Sequence, residues 1–229
     1  MSTQQTQARI ISVTPLTNTI VQLILEPTYY FAYEAGQYLQ IHSHDDLLSY
    51  SIANAPLGSH RYELHIRHGQ DNAHTERLLA DIQKTGMVTL QAPFGDCVLS
   101  ALSPHKPLLF VAGGTGFAPI KAMIEQLLVH NDTRPVHLFW GARSQSDLYL
   151  EEAVLHWQSH VPHFTYYPLV SEKSQDTLVT YLLTKHRQDL RDWQIVINGP
   201  LEMVYHTKDA LLSHGATLKQ LYSDAFRRE

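Results

Sequence analysis

Residues 108–119 read Leu-Leu-Phe-Val-Ala-Gly-Gly-Thr-Gly-Phe-Ala-Pro, and this stretch decides the fold. The uninterrupted apolar run 108–112 predicts a strand that is covered on both faces, as in a parallel sheet. Beyond Pro119, which suits a first helical turn, apolar side chains recur at the spacing of a helix packed on a sheet. These apolar residues are Ile120, Met123, Ile124, Leu127 and Leu128. The stretch therefore predicts a strand, a tight turn and a helix.

The turn between this strand and this helix contains Gly113, Gly114, Thr115 and Gly116. Glycine has no Cβ to hold a pyrophosphate away from the backbone, and the free amides and positive dipole of a helix start attract an anion. We therefore expect a dinucleotide at this turn, with a purely structural turn as the alternative. The spacing does not name the cofactor, because it matches neither the GxGxxG nor the Walker pattern.

Size and composition narrow the classes of protein. A chain of 229 residues most naturally forms two domains. Its net charge of -5 and pI near 6.3 give no basic surface for nucleic acid. Cys97 is the single cysteine, which excludes disulfides within the chain and cysteine-ligated iron-sulfur or zinc sites. With neither a signal-peptide pattern nor a long apolar run, the chain is expected to be cytoplasmic and to have no membrane segment.

The 15 histidines include three pairs at metal-like spacing, and we favour no metal site. None of these pairs has a wider ligand set around it in the sequence, and a pair alone is a weak pattern. The pairs are His42 with His44, His65 with His68, and His156 with His160.

The predicted order of strands and helices differs between the first and the second part of the chain. Short strands dominate the first part and predict an antiparallel barrel with one helix: strands 8–14, 19–26, 37–42, 49–54, 61–67 and 87–92, and helix 74–84. Strands and helices alternate in the second part and predict a parallel sheet: strands 108–112, 136–140, 164–169, 194–197 and 218–222, and helices 119–130, 148–156, 178–184 and 201–213. We thus predict a barrel domain at 1–103 and an α/β domain at 104–229.

Six segments occur in an order that resembles the ferredoxin-NADP reductase superfamily, and within it the small bacterial NAD(P)H:flavin oxidoreductases. The segments are Tyr50-Ser51, Pro93-Phe94-Gly95, the glycine turn 113–119, Trp140-Gly141-Ala142-Arg143, Asn198-Gly199-Pro200, and 222–226, which ends in Phe226. The resemblance covers nearly the whole chain. It implies an N-terminal antiparallel flavin-binding β-barrel and a Rossmann-like, parallel-sheet NAD(P)-binding domain. Hydride then passes from nicotinamide C4 to flavin N5.

The resemblance also implies roles for individual residues. Ser51 corresponds to the catalytic hydroxyl close to flavin N5, where a small donor is useful. The remaining residues correspond to cofactor contacts: Tyr50, Thr75 and Phe226, the turn residues Gly113, Gly114, Thr115 and Gly116, and the opposing wall Asn198, Gly199 and Pro200. Arg143 follows the second strand of the nucleotide domain, where an arginine accepts the 2'-phosphate of NADPH or stacks on adenine. A surface arginine is the alternative.

Three positions depart from the family pattern. Leu48 stands where family members carry the arginine that holds the flavin phosphate, and leucine cannot neutralise a phosphate. The second phosphate-binding turn is Asn-Ala-His-Thr at 72–75, in which Thr75 keeps a hydroxyl suited to capping the helix. Asn198 replaces a cysteine found in many members of the superfamily. Arg67 and His68 are candidates to replace part of the missing charge, but the changes at Leu48 and at 72–75 argue against tight binding of FAD as a prosthetic group.

The sequence thus predicts an NAD(P)H-dependent flavin reductase that uses NADH or NADPH and a free or loosely held FAD, FMN or riboflavin. One alternative is a reductase component that keeps its flavin and passes electrons to a separate ferredoxin or oxygenase. Another is a non-enzymatic flavin- or nucleotide-binding subunit, for which Leu48 and Asn198 are the best support. The acceptor is thus a small flavin or a redox protein, and the oligomeric state stays open.

Overall fold

The computed structural model describes residues 4–69, 72–174 and 176–226. Contacts divide the chain into two compact units. The first unit comprises residues 1–99 and 121–130, and the second comprises 100–120 and 131–229. The limits predicted from the sequence, 1–103 and 104–229, differ from this division chiefly at 121–130 and stay a prediction.

The first unit is built on a six-stranded antiparallel half-barrel in the order β4-β3-β6-β1-β2-β5. Its strands are β1 (Gln4–Pro15), β2 (Ile20–Pro27), β3 (Tyr38–Ser43), β4 (Asp46–Ser51), β5 (Tyr62–Arg67) and β6 (Met87–Phe94). Just after β4, Ile52 forms an antiparallel bridge with Leu64 of β5. Because β4 and β5 are the two edge strands, this bridge joins the sheet to itself at one point.

Alternating side chains fill the interior of this half-barrel. Leu23 and Leu25 of β2 and Leu39 and Ile41 of β3 are fully buried at every second position. Such alternation is typical of strands with one face in a core, which is the pattern that predicted them. A helix, α1 (Ala73–Thr85), follows β5 and ends at Gly86, whose φ of 65° is the left-handed conformation typical of a helix end.

The second unit contains a five-stranded parallel sheet in the order β11-β10-β7-β8-β9. Its strands are β7 (Leu108–Gly113), β8 (Val136–Ala142), β9 (Phe164–Val170), β10 (Gln194–Asn198) and β11 (Leu221–Tyr222). The helices are α2 (Phe117–Val129), α3 (Glu151–His160), α4 (Leu178–His186) and α5 (Leu201–Ser213), with the later part of α2 counted in the first unit. The predicted antiparallel and parallel sheets are both confirmed.

The main departure from the predicted elements concerns 218–222, predicted as one strand. Leu218–Gln220 is a short 3-10 helix, and only Leu221–Tyr222 pairs with β10. Gln220 explains the difference, because its buried amide donates to the carbonyls of Leu190 and Trp193 at 2.8 and 3.0 Å. Satisfying that amide holds the backbone in a turn until Leu221.

Two helix starts were also misplaced. The helix predicted at 119–130 begins two residues earlier, at Phe117, so Pro119 is the third residue of α2. The helix predicted at 148–156 begins at Glu151 and runs to His160. Over the described ranges, no helix combines the length and the apolar character needed to cross a membrane.

Candidate functional site

Two residues predicted to contact flavin lie together in the first unit. Tyr50 is in β4 and Thr75 is in the first turn of α1, and their hydroxyl oxygens are 3.2 Å apart. Thr75 is 3% exposed. Burial raises the pKa of Tyr50 despite the opposing effect of the hydrogen bond with Thr75, so the phenol is neutral at pH 7. The strand and the helix thus present a joined pair of hydroxyl groups.

The cap of α1 differs from the prediction. Asn72 is the N-cap residue, and its side-chain oxygen accepts a hydrogen bond from the backbone N–H of Thr75 at 3.2 Å. The expectation that Thr75 caps this helix is therefore wrong, because Thr75 lies inside the first turn and its hydroxyl meets Tyr50 instead. An asparagine is among the best N-cap residues, so position 72 carried the signal.

Ser51, the predicted catalytic residue, ends β4 and pairs with Tyr38 of β3. Its side chain is half-buried. Leu48, on the same strand, is partly buried and packs against the core of the half-barrel. An apolar side chain embedded in this way offers no charge to a phosphate, which agrees with the departure noted in the sequence.

The glycine turn has a fixed shape in the second unit. Gly114–Gly116 forms a 3-10 turn between β7 and α2, and Gly114 has a φ of 53°. Trp140 of β8 donates its ring N–H to the carbonyl of Gly114 at 3.0 Å. The ring of Phe117 stacks on Trp140 with centroids 4.0 Å apart. Aromatic packing from the neighbouring strand therefore holds the turn that precedes the helix start.

The glycines of this turn are needed for different reasons. A Cβ on Gly114 would meet nothing within 4 Å, so this position faces open space. A Cβ on Gly116 would lie 2.2 Å from the carbonyl oxygen of Asn198, and one on Gly113 would lie 2.9 Å from Met203. Gly114 alone has the open space predicted for all three glycines. Gly113 and Gly116 instead allow the chain around Asn198 to approach the turn.

The segment predicted to form the opposing wall lies close to the glycine turn. Asn198 ends β10, and Gly199 and Pro200 lead into α5. A Cβ on Gly199 would lie 3.1 Å from the backbone of Gly113, so the two loops are packed backbone to backbone. The buried Nδ2 of Asn198 has no hydrogen-bond partner among the described residues. A buried amide of this kind fits a ligand that supplies an acceptor, such as a carboxamide oxygen.

Arg143 and Phe226 lie elsewhere in the second unit. Arg143 follows β8, and its side chain is 84% exposed, with Glu172 at 3.5 Å as an ion-pair partner. Such a weak surface pair leaves the guanidinium free to bind a phosphate or an adenine ring. Phe226 packs near Tyr205, with ring centroids 6.3 Å apart, and Lys208 Nζ lies 5.6 Å from its ring centroid.

A buried charged cluster was missed in the sequence. Lys121 is 8% exposed, and its ammonium lies 2.7 Å from a carboxylate oxygen of Glu125 and 3.4 Å from one of Glu63. All three residues belong to the first unit. The spacing of Lys121 and Glu125 resembles an ordinary surface pair on a helix, so the sequence carried no clear signal of their burial.

His65 and His68, one of the three histidine pairs, each have a carboxylate as a neighbour in the structure. The ring of His65 lies 2.8 Å from a carboxylate oxygen of Glu63, and the ring of His68 lies 3.1 Å from one of Glu76. Within the described residues, no group of three or more histidine, cysteine, aspartate or glutamate side chains is arranged to hold a metal ion.

Comparisons with known proteins agree with this geometry. Residues 110–209 match the family model described as the oxidoreductase NAD-binding domain. The chain is 28% identical over 232 residues to an NAD(P)H-flavin reductase from Vibrio harveyi, covering 96% of this chain and 98% of the relative.

Two longer relatives are somewhat more similar in sequence. A CDP-6-deoxy-L-threo-D-glycero-4-hexulose-3-dehydrase reductase from Yersinia pestis is 32% identical over 212 residues, which cover 90% of this chain and 64% of the relative. Reductase component 1 of a terephthalate 1,2-dioxygenase from Comamonas is 32% identical over 201 residues, covering 85% of this chain and 59% of the relative. The chain thus spans less than two thirds of the length of these two relatives.

Solved structures share the fold. A cytochrome P450 reductase from Amycolatopsis gives a TM-score of 0.86 at 23% identity, covering 97% of this chain and 69% of that chain. A ferredoxin NADP+ reductase from Neisseria gonorrhoeae, with bound FAD and NADP, gives a TM-score of 0.78 at 18% identity, covering 97% and 99%. The half-barrel and the parallel sheet give the chain the fold of the ferredoxin-NADP reductases, and residues 110–209 match an oxidoreductase NAD-binding domain.

Proposed function

We propose that this protein is an NAD(P)H-dependent flavin reductase that transfers hydride from nicotinamide C4 to flavin N5. The observation that carries the proposal is the turn at Gly114, which is open at the start of α2 and is held by Trp140. The similarity to the Vibrio harveyi flavin reductase along 96% of the chain supports the choice of flavin as the acceptor.

The residues of the second unit fit a nicotinamide nucleotide. The open position at Gly114 and the positive dipole end of α2 suit its pyrophosphate, since a helix start attracts negative charge. Asn198 offers the carboxamide its Nδ2, which has no hydrogen-bond partner in the described part of the chain. Arg143, exposed after β8, is available to the 2'-phosphate of NADPH or to the adenine of either nucleotide. These residues bind and orient, which is the main task of the protein in hydride transfer.

The residues of the first unit fit a flavin. When both are bound, the nicotinamide supplies a hydride and the flavin accepts it. Ser51 then holds a hydroxyl at N5 and supplies a hydrogen bond or a proton there. The neutral phenol of Tyr50, joined to Thr75, lines the ring or the ribityl chain. In the second unit, Phe226 packs against the core and is proposed as a further cofactor contact.

We propose further that the flavin is a substrate held loosely rather than a prosthetic group. Leu48 packs against the core of the half-barrel at the position where the family carries a phosphate-binding arginine. Without that charge, FMN and FAD lose an interaction that is typically worth about 1.5–3 kcal/mol, whereas riboflavin has no phosphate and loses nothing.

Steady-state assays test this function. Purified protein is mixed with NADH or NADPH, with and without added riboflavin, FMN or FAD, and nucleotide oxidation is followed by absorbance. We expect oxidation that depends on added flavin. The absence of oxidation with every nucleotide and flavin pair, despite nucleotide binding, would contradict the proposal and favour a regulatory subunit.

A reductase component of a larger electron-transfer system is the second candidate. The 32% identity to the reductase component of the terephthalate dioxygenase supports it. Such a protein would purify with its flavin bound and would pass electrons to a protein acceptor. Reduction of cytochrome c as a surrogate acceptor by a yellow preparation, without added flavin, would favour this candidate over the flavin reductase.

A further inference from the structure

The segment that follows Ser51 is buried although it lies outside the regular strands. Ile52 and Ala53 are fully buried, and Ala55 is 3% exposed. Irregular backbone in a protein interior must find hydrogen-bond partners for its N–H and C=O groups, because no water is present to supply them. The partners of residues 52–55 therefore determine how firmly this segment is held.

Several partners come from the first unit's strands and loops. The N–H of Ala53 donates to the carbonyl of Glu63 at 2.7 Å. The carbonyl of Asn54 accepts a hydrogen bond from the hydroxyl of Tyr33, also at 2.7 Å. The side-chain oxygen of Asn54 accepts one from the N–H of Glu63 at 2.8 Å. Residues 53 and 54 are thus hydrogen-bonded to Glu63 of β5.

Lys121 is the hydrogen-bond partner of the carbonyl of Ala53. Its ammonium donates to that carbonyl at 3.1 Å. The same ammonium contacts Glu63 at 3.4 Å and Glu125 at 2.7 Å. An ammonium has three donors and no acceptor, so these three contacts use its full capacity.

Glu125 binds the backbone two residues after Ala53, at Ala55. One of its carboxylate oxygens pairs with Lys121, and the other accepts a hydrogen bond from the N–H of Ala55 at 3.2 Å. One ion pair therefore holds the carbonyl of Ala53 and the N–H of Ala55 together.

The second carboxylate of the cluster is held charged. Burial by itself raises the pKa of Glu63, but the hydrogen bond with His65 and the charge of Lys121 outweigh it and lower the pKa to about 2. Burial lowers the pKa of His65, so its ring is neutral at pH 7 and Lys121 is the cation that balances Glu63. Gln22 donates to the same carboxylate at 2.9 Å.

We propose that Lys121 is a positioning residue for the reaction: with Glu125 it fixes the backbone 52–55 and thereby orients Ser51 toward the flavin. This inference rests on the proposed flavin reductase function. A buried ion pair is poor evidence of stability alone, because apolar residues of similar volume often replace one without loss. Here the pair bonds directly to the backbone that follows the proposed catalytic hydroxyl, which apolar side chains could not do.

The test compares variants that differ in these hydrogen bonds. Lys121→Met keeps the length of the side chain and removes its donors. Glu125→Ala removes the acceptor for the N–H of Ala55. Glu125→Gln keeps an oxygen there and is the matched control for Glu125→Ala. These two variants still test the proposal if Lys121→Met does not fold. Val21→Ala, in the core at β2, is the control for a general loss of stability. Hydrogen exchange of the peptide covering 52–55 and stopped-flow flavin reduction are measured in each.

We expect faster exchange at 52–55 in Lys121→Met and Glu125→Ala, with flavin reduction at saturating nucleotide slowed by about 10- to 100-fold and little change in nucleotide KM. Glu125→Gln should retain more of the rate than Glu125→Ala. Exchange and rates equal to those of Val21→Ala would overturn the proposal, as would faster exchange with a wild-type rate. If the wild type reduces no flavin, the proposed function fails, while the exchange comparison still decides whether Lys121 orders this segment.

Discussion

Gly116 lies against the backbone of Asn198 so closely that a Cβ on the glycine would come within 2.2 Å of the asparagine's carbonyl oxygen. The turn before α2 and the end of β10 are therefore in backbone contact within the second unit. Gly114, two residues earlier, faces open space instead. The same glycine-rich turn thus contains one position that shapes the protein and another that is free to meet a ligand.

This contrast predicts different outcomes for the same substitution. Gly114→Asn should raise the KM for NAD(P)H by about tenfold or more while the Tm changes little, because asparagine tolerates the left-handed φ of 53° and fills the open space. Gly116→Asn should lower the Tm sharply, since its Cβ would collide with backbone. Thermal unfolding and steady-state kinetics of both variants check this. Wild-type nucleotide kinetics in Gly114→Asn would contradict the phosphate role of the turn.

Ser51 is expected to act on the chemical step. Ser51→Ala should slow flavin reduction at saturating nucleotide by about 10- to 1000-fold, the scale of losing one well-placed hydrogen bond or proton donor. Ser49→Ala is a matched control on the same strand, because Ser49 is exposed and contacts Gln40 at 3.2 Å. Stopped-flow measurements that show equal rates in the two variants would make Ser51 an ordinary strand serine.

Leu48 is expected to determine how flavins are distinguished. Leu48→Arg should tighten binding of FMN or FAD by about 1.5–3 kcal/mol and leave riboflavin nearly unaffected, since only the first two carry phosphate. The gain should shrink as ionic strength rises. Flavin titrations at two salt concentrations measure both effects. Leu47→Arg is the control, because Leu47 is 47% exposed on the same strand.

Equal effects of Leu48→Arg on phosphorylated and unphosphorylated flavins, or no effect on either, would contradict this account. Leu48 would then not face the flavin phosphate. Loose binding of FMN and FAD would then have no explanation in the residue at position 48.

Much of the architecture was predictable because local patterns determine it. The apolar run of β7 and the helical spacing in α2 specified a strand, a turn and a helix without reference to distant residues. The alternating strands of the half-barrel were equally clear. The boundary of the last strand was misplaced because Gln220, within the segment, bonds to carbonyls of Leu190 and Trp193, which are distant in sequence.

The functional residues were predictable to a smaller extent. The turn at Gly114 follows from sequence, but the distinct role of Gly116 depends on its contact with Asn198, far along the chain. Lys121 was missed because its partners Glu63 and Ala53 are brought to it only by the tertiary fold. Contacts between residues distant in sequence leave no periodic pattern in a single chain, so they cannot be predicted from one sequence.

The buried cluster around Glu63 predicts how stability depends on pH. The pKa of Glu63 is about 2 in the folded protein against 4.5 ordinarily, so its contribution is present above pH 4.5 and is lost as the pH falls toward 2. At about 1.36 kcal/mol for each pKa unit, the loss is on the order of 3 kcal/mol. Unfolding free energies across this range should fall less steeply in Glu63→Gln. An unchanged slope would contradict the charged state assigned to this carboxylate.

Anaerobic stopped-flow reduction of added riboflavin tests the central claim most directly, using ordinary nucleotide and nucleotide deuterated at the transferred position of C4. The account predicts that the purified wild-type protein bleaches the oxidised flavin only when nucleotide is present. It also predicts that deuterium slows the bleaching and that the deuterium leaves the nucleotide. Bleaching that is absent with riboflavin, FMN and FAD, or equally fast without the protein, would contradict the assignment of this chain as a flavin reductase.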